Sequence, residues 1–290
     1  MKKILLLLVL PVVAIAQIKG VVKDSLSGQP IPYVTLWVEG EQMAATTEFD
    51  GTYELPALDS GKTIVFSSVG YTKKRVTADQ AKTVLLSPEE YILEEVVIAG
   101  QKNKKQLEIG IRKKSIYQAF DNGPKIETKF FPYLQAYTKT KYIKKVRIQT
   151  DCRLEDALVK LHFFAVDEKG APGAELLKKD LLVTVKKGVM YTTVDLSDWN
   201  LVMPKNGLFV GFEKLLIERN KEEKTIVDPN SGATRIQRKY YPFLLYAYVE
   251  ATFQWTYQEG EWQKKAPTDT NDPSATLMIL EPSISLILSN

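Results

Sequence analysis

Apolar positions along this chain recur mostly with a period of two, in short runs closed by Gly, Pro, Asn and Asp. That spacing predicts strands, because alternate residues of an extended chain face opposite sides of a sheet. In the first third the runs fall at Gly20-Val21-Val22, Pro32 to Val38, Thr46-Thr47, Tyr53 to Leu55, Thr63 to Phe66 and Thr83 to Leu86. Ser27-Gly28-Gln29-Pro30 reads as a turn, and Asp50-Gly51 as a tight turn between two strands. No segment there carries a helical period.

The rhythm resumes near Ile126. Strands are predicted at Phe130 to Tyr137, Tyr142 to Thr150, Ala157 to Val166, Leu181 to Val185 and Tyr191 to Leu196. Further strands follow at Leu208 to Phe212, Val249 to Tyr257, Leu277 to Leu280 and Ile284 to Leu288. The expectation is an all-β protein of two antiparallel β-sandwich domains, the second jelly-roll-like. Residues 17–98 form the first domain and residues 126–290 the second. Residues 99–125 read as a basic linker, with Lys102, Lys104, Lys105, Arg112, Lys113 and Lys114 around Glu108 and one helical turn at Ser115 to Phe120. Ile217 to Tyr240 breaks the strand rhythm and reads as a disordered loop or a mobile hairpin, with a binding lid as the alternative.

The first sixteen residues change the picture of where the protein works. Lys2 and Lys3 precede an apolar run from Ile4 to Val13, and Ala14-Ile15-Ala16 offers a small-x-small cleavage site. That order is the pattern of a signal peptide over residues 1–16, so the chain is expected to be exported. The charge of 39 basic against 35 acidic residues falls to 37 against 35 without Lys2 and Lys3. Near neutrality gives no argument for nucleic acid. Cys152 is the only cysteine, so stability has to come from core burial rather than an internal disulfide. Within RIQTDCRL it reads as a buried strand residue.

Candidate chemistry is thin. His162 is the only histidine, which rules out a site needing two His ligands around zinc. It stands mid-strand without a nucleophile-elbow motif beside it and reads as a satisfied strand histidine. No phosphate-binding glycine loop is present. Asp and Glu are plentiful, but none reads as standing in an apolar setting that would raise its pKa. Asp50-Gly51 and Asp228-Pro229-Asn230 fall short of the ligand count of a calcium site. No catalytic, cofactor-binding or metal-ligating residue is therefore assigned. Aromatic residues remain. Trp255, Tyr257 and Trp262 are the candidate ligand-binding residues, since exposed indole and phenol faces stack on sugar rings. Filling a sandwich core is the competing use of the same residues.

The residues of the first domain also carry a resemblance. Gly20, Val22, Asp24, Gly28, Pro30, Ile31, Val34, Leu36, Val38 and Gly40, then Thr47, Asp50, Gly51, Tyr53, Leu55, Ser68, Gly70 and Tyr71, stand in an order and spacing that resembles the carboxypeptidase regulatory-like family. The resemblance implies a transthyretin-like β-sandwich. It also implies kinship with the N-terminal extension of Bacteroidetes outer-membrane nutrient receptors. The segment Leu93-Glu94-Glu95-Val96-Val97-Ile98 is similar to the stretch that precedes the plug in such receptors, and reads equally well as an edge strand. About 190 residues follow Ile98, too few for plug and barrel, so this chain is not expected to transport. In the second domain, Val146 to Ile148, Leu161 to Val166, Ala171-Pro172-Gly173, Val194 to Leu196 and Leu208 to Gly211 look similar to jelly-roll modules of exported proteins. The resulting expectation is a non-catalytic exported binding or scaffolding protein of the cell envelope, periplasmic, outer-membrane associated or secreted. Its expected partner is an envelope protein or a glycan, and peripheral contact with the outer membrane would run through the basic linker. The alternatives are a carbohydrate-binding protein acting through the second domain, and a hydrolase, which would need an acidic cluster in a deep cleft.

Overall fold

The computed structural model describes residues 17–89, 105–110, 117–121, 123–229, 231–267 and 275–290. The expected signal peptide and the LEEVVI segment lie outside the described residues. Among them are 23 strands and four short 3-10 turns. The first domain holds β1 (Ile18–Asp24), β2 (Thr35–Val38), β3 (Ala44–Thr46), β4 (Thr52–Leu55), β5 (Thr63–Ser67), β6 (Lys74–Thr77) and β7 (Thr83–Leu86). They build a three-stranded sheet, β4-β1-β7, facing a four-stranded sheet, β3-β2-β5-β6. Val22, Val34, Leu36, Tyr53, Leu55, Ile64, Phe66, Val84 and Leu86 fill the space between them. One pair departs from the antiparallel expectation: β1 runs parallel to β7, with Val21 opposite Thr83.

Asp50-Gly51 does turn, with Gly51 at φ +76° and Thr52 N bonded to Asp50 Oδ1 at 3.0 Å. A Cβ on Gly51 would lie 2.8 Å from the Val22 carbonyl oxygen, so glycine is required twice over there. The strands it joins do not pair as a hairpin. β3 joins the four-stranded sheet and β4 the other, so the turn carries the chain across the sandwich.

The second domain contains β8 (Gln106–Ile109), β9 (Tyr117–Ala119), β10 (Ile126–Phe131), β11 (Tyr142–Cys152), β12 (Ala157–Val166), β13 (Pro172–Glu175), β14 (Leu181–Val185) and β15 (Gly188–Asp195). After these come β16 (Leu208–Lys214), β17 (Lys221–Val227), β18 (Thr234–Tyr240), β19 (Phe243–Ala251), β20 (Gln254–Gln258), β21 (Glu261–Lys265), β22 (Leu277–Pro282) and β23 (Ile284–Ser289). One sheet has the order β13-β12-β16-β10-β20-β21 with β14 beside β12; the other has β22-β19-β11-β23-β8, with β15 and β9 on its flanks. Their inner faces enclose Val146, Ile148, Val159, Leu161, Phe163, Val210, Phe212, Leu286 and Leu288.

Four expectations shift. The stretch expected as a linker supplies β8, which pairs with β23, and β9, which pairs with β19; its described part belongs to the second sandwich. Tyr117–Ala119 is strand rather than a helical turn, because it has a sheet edge to bond. The Phe130 to Tyr137 run stops at Phe131 and gives way to a 3-10 turn at Gln135–Lys139, since Pro132 has no N–H for the ladder. Val249 to Tyr257 divides into β19 and β20, which lie in different sheets. The 217–240 insertion is a two-stranded ribbon, β17-β18, in register from Lys221–Tyr240 to Val227–Thr234. Asn220 pins its base. This fully buried amide donates to the Leu158 and Leu215 carbonyls at 2.6 and 2.9 Å and accepts from Leu158 N at 2.8 Å.

Cys152 ends β11 at 2 % exposure, its thiol 3.2 Å from the Leu154 carbonyl oxygen. Burial pushes the thiol pKa up, against the smaller pull of that hydrogen bond. A buried thiol held protonated is a poor nucleophile. Cys152 is expected to stay unmodified by a disulfide reagent in the folded protein and to react fully in denaturant; fast labelling of the native chain, followed by absorbance, would refute that.

Candidate functional site at the domain interface

Strands β2 and β5 are buried on both faces. Leu36 points into the first core, and so do Ile64 and Phe66. The alternate residues Thr35, Trp37 and Val65 point the other way, yet their exposures are 6, 2 and 0 %. They pack against the outer face of the second domain's β12-β16-β10-β20-β21 sheet. Trp37 meets Tyr257 edge-on at 5.5 Å, Tyr257 meets Trp262 at 5.2 Å, and Trp262 meets Phe164 at 5.1 Å. Ile126 and Phe209 complete this cluster with Val65. Backbone bonds flank it: Gly40 N to the Glu259 carbonyl at 3.1 Å, and Leu216 N to Thr46 Oγ1 at 3.0 Å.

A charged network lies beside the aromatics. On β12, Lys160 and His162 alternate with the core residues Val159, Leu161 and Phe163, so both face the first domain. Glu213 on β16 stands directly opposite Lys160. His162 Nε2 lies 2.8 Å from Glu213 Oε2, and Nδ1 lies 2.9 Å from Glu175 Oε2. Glu175 Oε1 accepts from Phe163 N at 2.8 Å. Thr35 Oγ1 donates to Glu213 Oε1, crossing between domains. Lys160 Nζ donates to the Tyr33 carbonyl at 2.7 Å, a second crossing, and pairs with Asp180 at 3.1 Å.

Burial by itself would depress the His162 pKa, but hydrogen bonds and charge from Glu175 and Glu213 outweigh it and raise the value to about 9. Burial would likewise raise Glu213, but His162, Lys160 and Thr35 hold it below the ordinary carboxylate value. The ring is therefore an imidazolium that donates from both nitrogens. Both nitrogens are committed, so His162 cannot act as a general base without breaking the network. The two carboxylates sit at opposite edges of the ring. No group of three or more His, Cys, Asp or Glu side chains among the described residues is placed to hold a metal ion.

Two carboxylates are nevertheless buried, Glu213 with its pKa held down rather than raised. Glu213 is 3 % exposed and Glu127 is 6 % exposed. Glu127 faces the second core, where Tyr246 OH donates to it and Lys125 pairs with it at 3.3 Å. The available signal was charge on an otherwise apolar strand, as in Leu208–Lys214 (LFVGFEK). Alternation made Glu213 look solvated, because the sheet's second cover belongs to another domain.

Between the domains a cleft of about 530 Å³ remains. Its floor is the His162–Glu175–Glu213 network. Its walls are Trp37, Tyr257 and Trp262 on one side and the Ser67 to Lys73 segment of the first domain on the other. Of the aromatic residues expected to bind a ligand, Tyr257 is 4 % exposed, with its hydroxyl bonded to the Gly260 carbonyl at 2.7 Å. Trp262, its cross-strand partner, is half-buried and lines the cleft. Trp255 lies two residues along the same face and lines a separate hollow of about 250 Å³ with Phe253 and Lys129. The structure thus puts all three on one sheet face and against one cluster, brings Tyr257 and Trp262 together at the cleft, and leaves Trp255 outside it.

Comparison with known proteins identifies the first domain. Residues 18–98 match the CarboxypepD_reg-like domain family. The TonB-dependent receptor SusC of Bacteroides thetaiotaomicron is 36 % identical over 107 residues, covering 34 % of this chain and 10 % of the receptor. The TonB-dependent receptor P3 of Formosa agariphila is 29 % identical over 94 residues, covering 32 % of this chain and 9 % of that protein. The chain spans about a tenth of the length of these relatives. No solved structure matches.

Proposed function

With residues 18–98 taken as a CarboxypepD_reg-like domain, we propose that this protein is an exported, non-catalytic binding or scaffolding module of the cell envelope. The observation that carries the reading is the interface itself. Two sandwiches are joined through an aromatic cluster and a buried ionic network, an arrangement suited to presenting a surface. The side chains that chemistry would first recruit are engaged elsewhere: both His162 nitrogens bond carboxylates, and Cys152 is buried. Similarity to segments of two TonB-dependent receptors and the signal-like residues 1–16 support the envelope as the compartment.

The test uses the full chain, tagged at its C-terminus, in its native host. The expected result is recovery from the periplasmic or outer-membrane fraction and capture of a second envelope component by a membrane-impermeant cross-linker. Recovery from the cytosol would overturn the compartment. Recovery from the envelope with no cross-linked species would overturn binding and scaffolding.

A further inference from the structure

We propose that the interdomain cleft is a binding site for a neutral saccharide, formed jointly by both domains. This deepens the binding-module reading and rests on it. Three observations carry it.

The first is the division of polar groups. The floor is internally satisfied, each of His162, Glu175 and Glu213 having its partners within the network. The rim is not: the side chains of Ser67, Ser68, Thr72 and Lys73 make no hydrogen bond among the described residues, although all four line the cleft. Three hydroxyls and an ammonium that make no hydrogen bond there, the ammonium lying over the Tyr257 ring, match the alternating donors and acceptors of a sugar ring.

The second is the wall. Trp262 is half-buried and its ring is held by edge-on contacts from Phe164 and Tyr257 at 5.1 and 5.2 Å. A braced indole lining the cleft beside these hydroxyls supplies apolar surface for the C–H side of a pyranose. The volume of about 530 Å³ lies within the range of small-ligand sites and suits a short oligosaccharide.

The third is charge. The lining cations Lys73, Lys160 and His162 are matched by the carboxylates of Glu89, Glu175 and Glu213. Lys73, at 4.9 Å over the Tyr257 ring, is held below the ordinary lysine value by burial and by Arg75, against the smaller pull of Glu89 and Glu175. A charged ligand would leave one member of this set unbalanced in a partly dry site, whereas a neutral polyol would not. The argument thus selects uncharged over uronate or sulfated glycans.

The experiment is a glycan array carrying neutral gluco-, xylo-, manno- and galacto-oligosaccharides with uronate and sulfated counterparts, probed with the full chain. Titration calorimetry of the strongest neutral binder then follows for the variants. Trp262→Ala and Lys73→Met are expected each to weaken binding by about tenfold or more, and Trp255→Ala, outside the cleft, to leave it unchanged. Lys73→Met and Thr72→Val alter only the exposed rim, so they keep the test valid if Trp262→Ala misfolds. Retention of no neutral glycan, retention of anionic glycans only, or affinity that the rim variants leave unaltered would each overturn the assignment. Envelope recovery and cross-linking of the wild type would stand in all three cases, which separates failure here from failure of the module reading.

Discussion

Glu213→Ala is expected to lower the unfolding free energy by about 3–5 kcal/mol, the cost of stripping one partner from a buried charged network. Three groups lose a bond or a counter-charge at once. Thr35 loses its acceptor across the interface, His162 keeps Glu175 alone, and Lys160 loses the carboxylate directly opposite on β16. Lys160 and His162 are only 1 and 7 % exposed, so water entering from the cleft replaces the lost carboxylate only in part. The loss should be felt first at the docking face. Hydrogen exchange should accelerate in β2 and β5, and equilibrium unfolding in urea should shift to lower midpoint or split into two transitions. An unchanged midpoint with unchanged protection of Thr35–Val38 would show that the aromatic cluster alone holds the domains together. Glu213→Gln, which keeps the shape but not the charge, is expected to fall between the two.

Between pH 6.5 and about 9 the wild-type protein is expected to lose about 3 kcal/mol of stability, at roughly 1.4 kcal/mol per pH unit. The sign follows from His162. Its folded pKa of about 9 stands above the ordinary 6.5, so folding takes up a proton in this window. The gain is complete below pH 6.5 and disappears as pH rises through 9. Glu213 works on the other side: its folded pKa is depressed below 4.5, so its contribution is complete above pH 4.5 and is lost as pH falls below it. Stability should therefore be greatest between about pH 4.5 and 6.5. His162 is the only histidine and sets the lower part of this limb, while the buried Cys152 thiol, also pushed up, adds to the loss toward its alkaline end. Urea unfolding at several pH values measures it, and His162→Gln should flatten that limb. A wild-type stability independent of pH from 6.5 to 9 would mean that the ring is neutral in the folded protein.

Much of the scaffold was legible along the chain. Strand after strand in the first domain follows the alternation, from Val22 and Leu36 to Phe66 and Leu86, because burying one face of a pleated strand imposes a period of two. Turn residues marked the reversals, as at Asp50-Gly51. Misreadings came where a local rule had two outcomes. Asp50-Gly51 signals a tight turn, but whether its flanks pair is decided by which sheet offers them a partner. Tyr117–Ala119 has no pattern of its own and is a strand because β19 has an open edge.

The candidate site was the least legible part. Thr35 and Trp37 in β2, and Lys160 and His162 in β12, occupy the positions that alternation assigns to the outer side of a sandwich. Trp255, Tyr257 and Trp262 drew attention as aromatics and do share a face, yet their number said nothing of what covers it. The sequence by itself determined the all-β class and the resemblance of residues 18–98 to the CarboxypepD_reg-like family, because strand period, turn chemistry and family motifs are local properties. Only the tertiary structure decided that two outer faces meet, that Glu213 and His162 share one buried network, and that a cleft stays open beside them. Those facts depend on contacts between residues more than a hundred positions apart, such as Thr35 with Glu213 and Trp37 with Tyr257, and no periodicity within a strand encodes a partner at that distance.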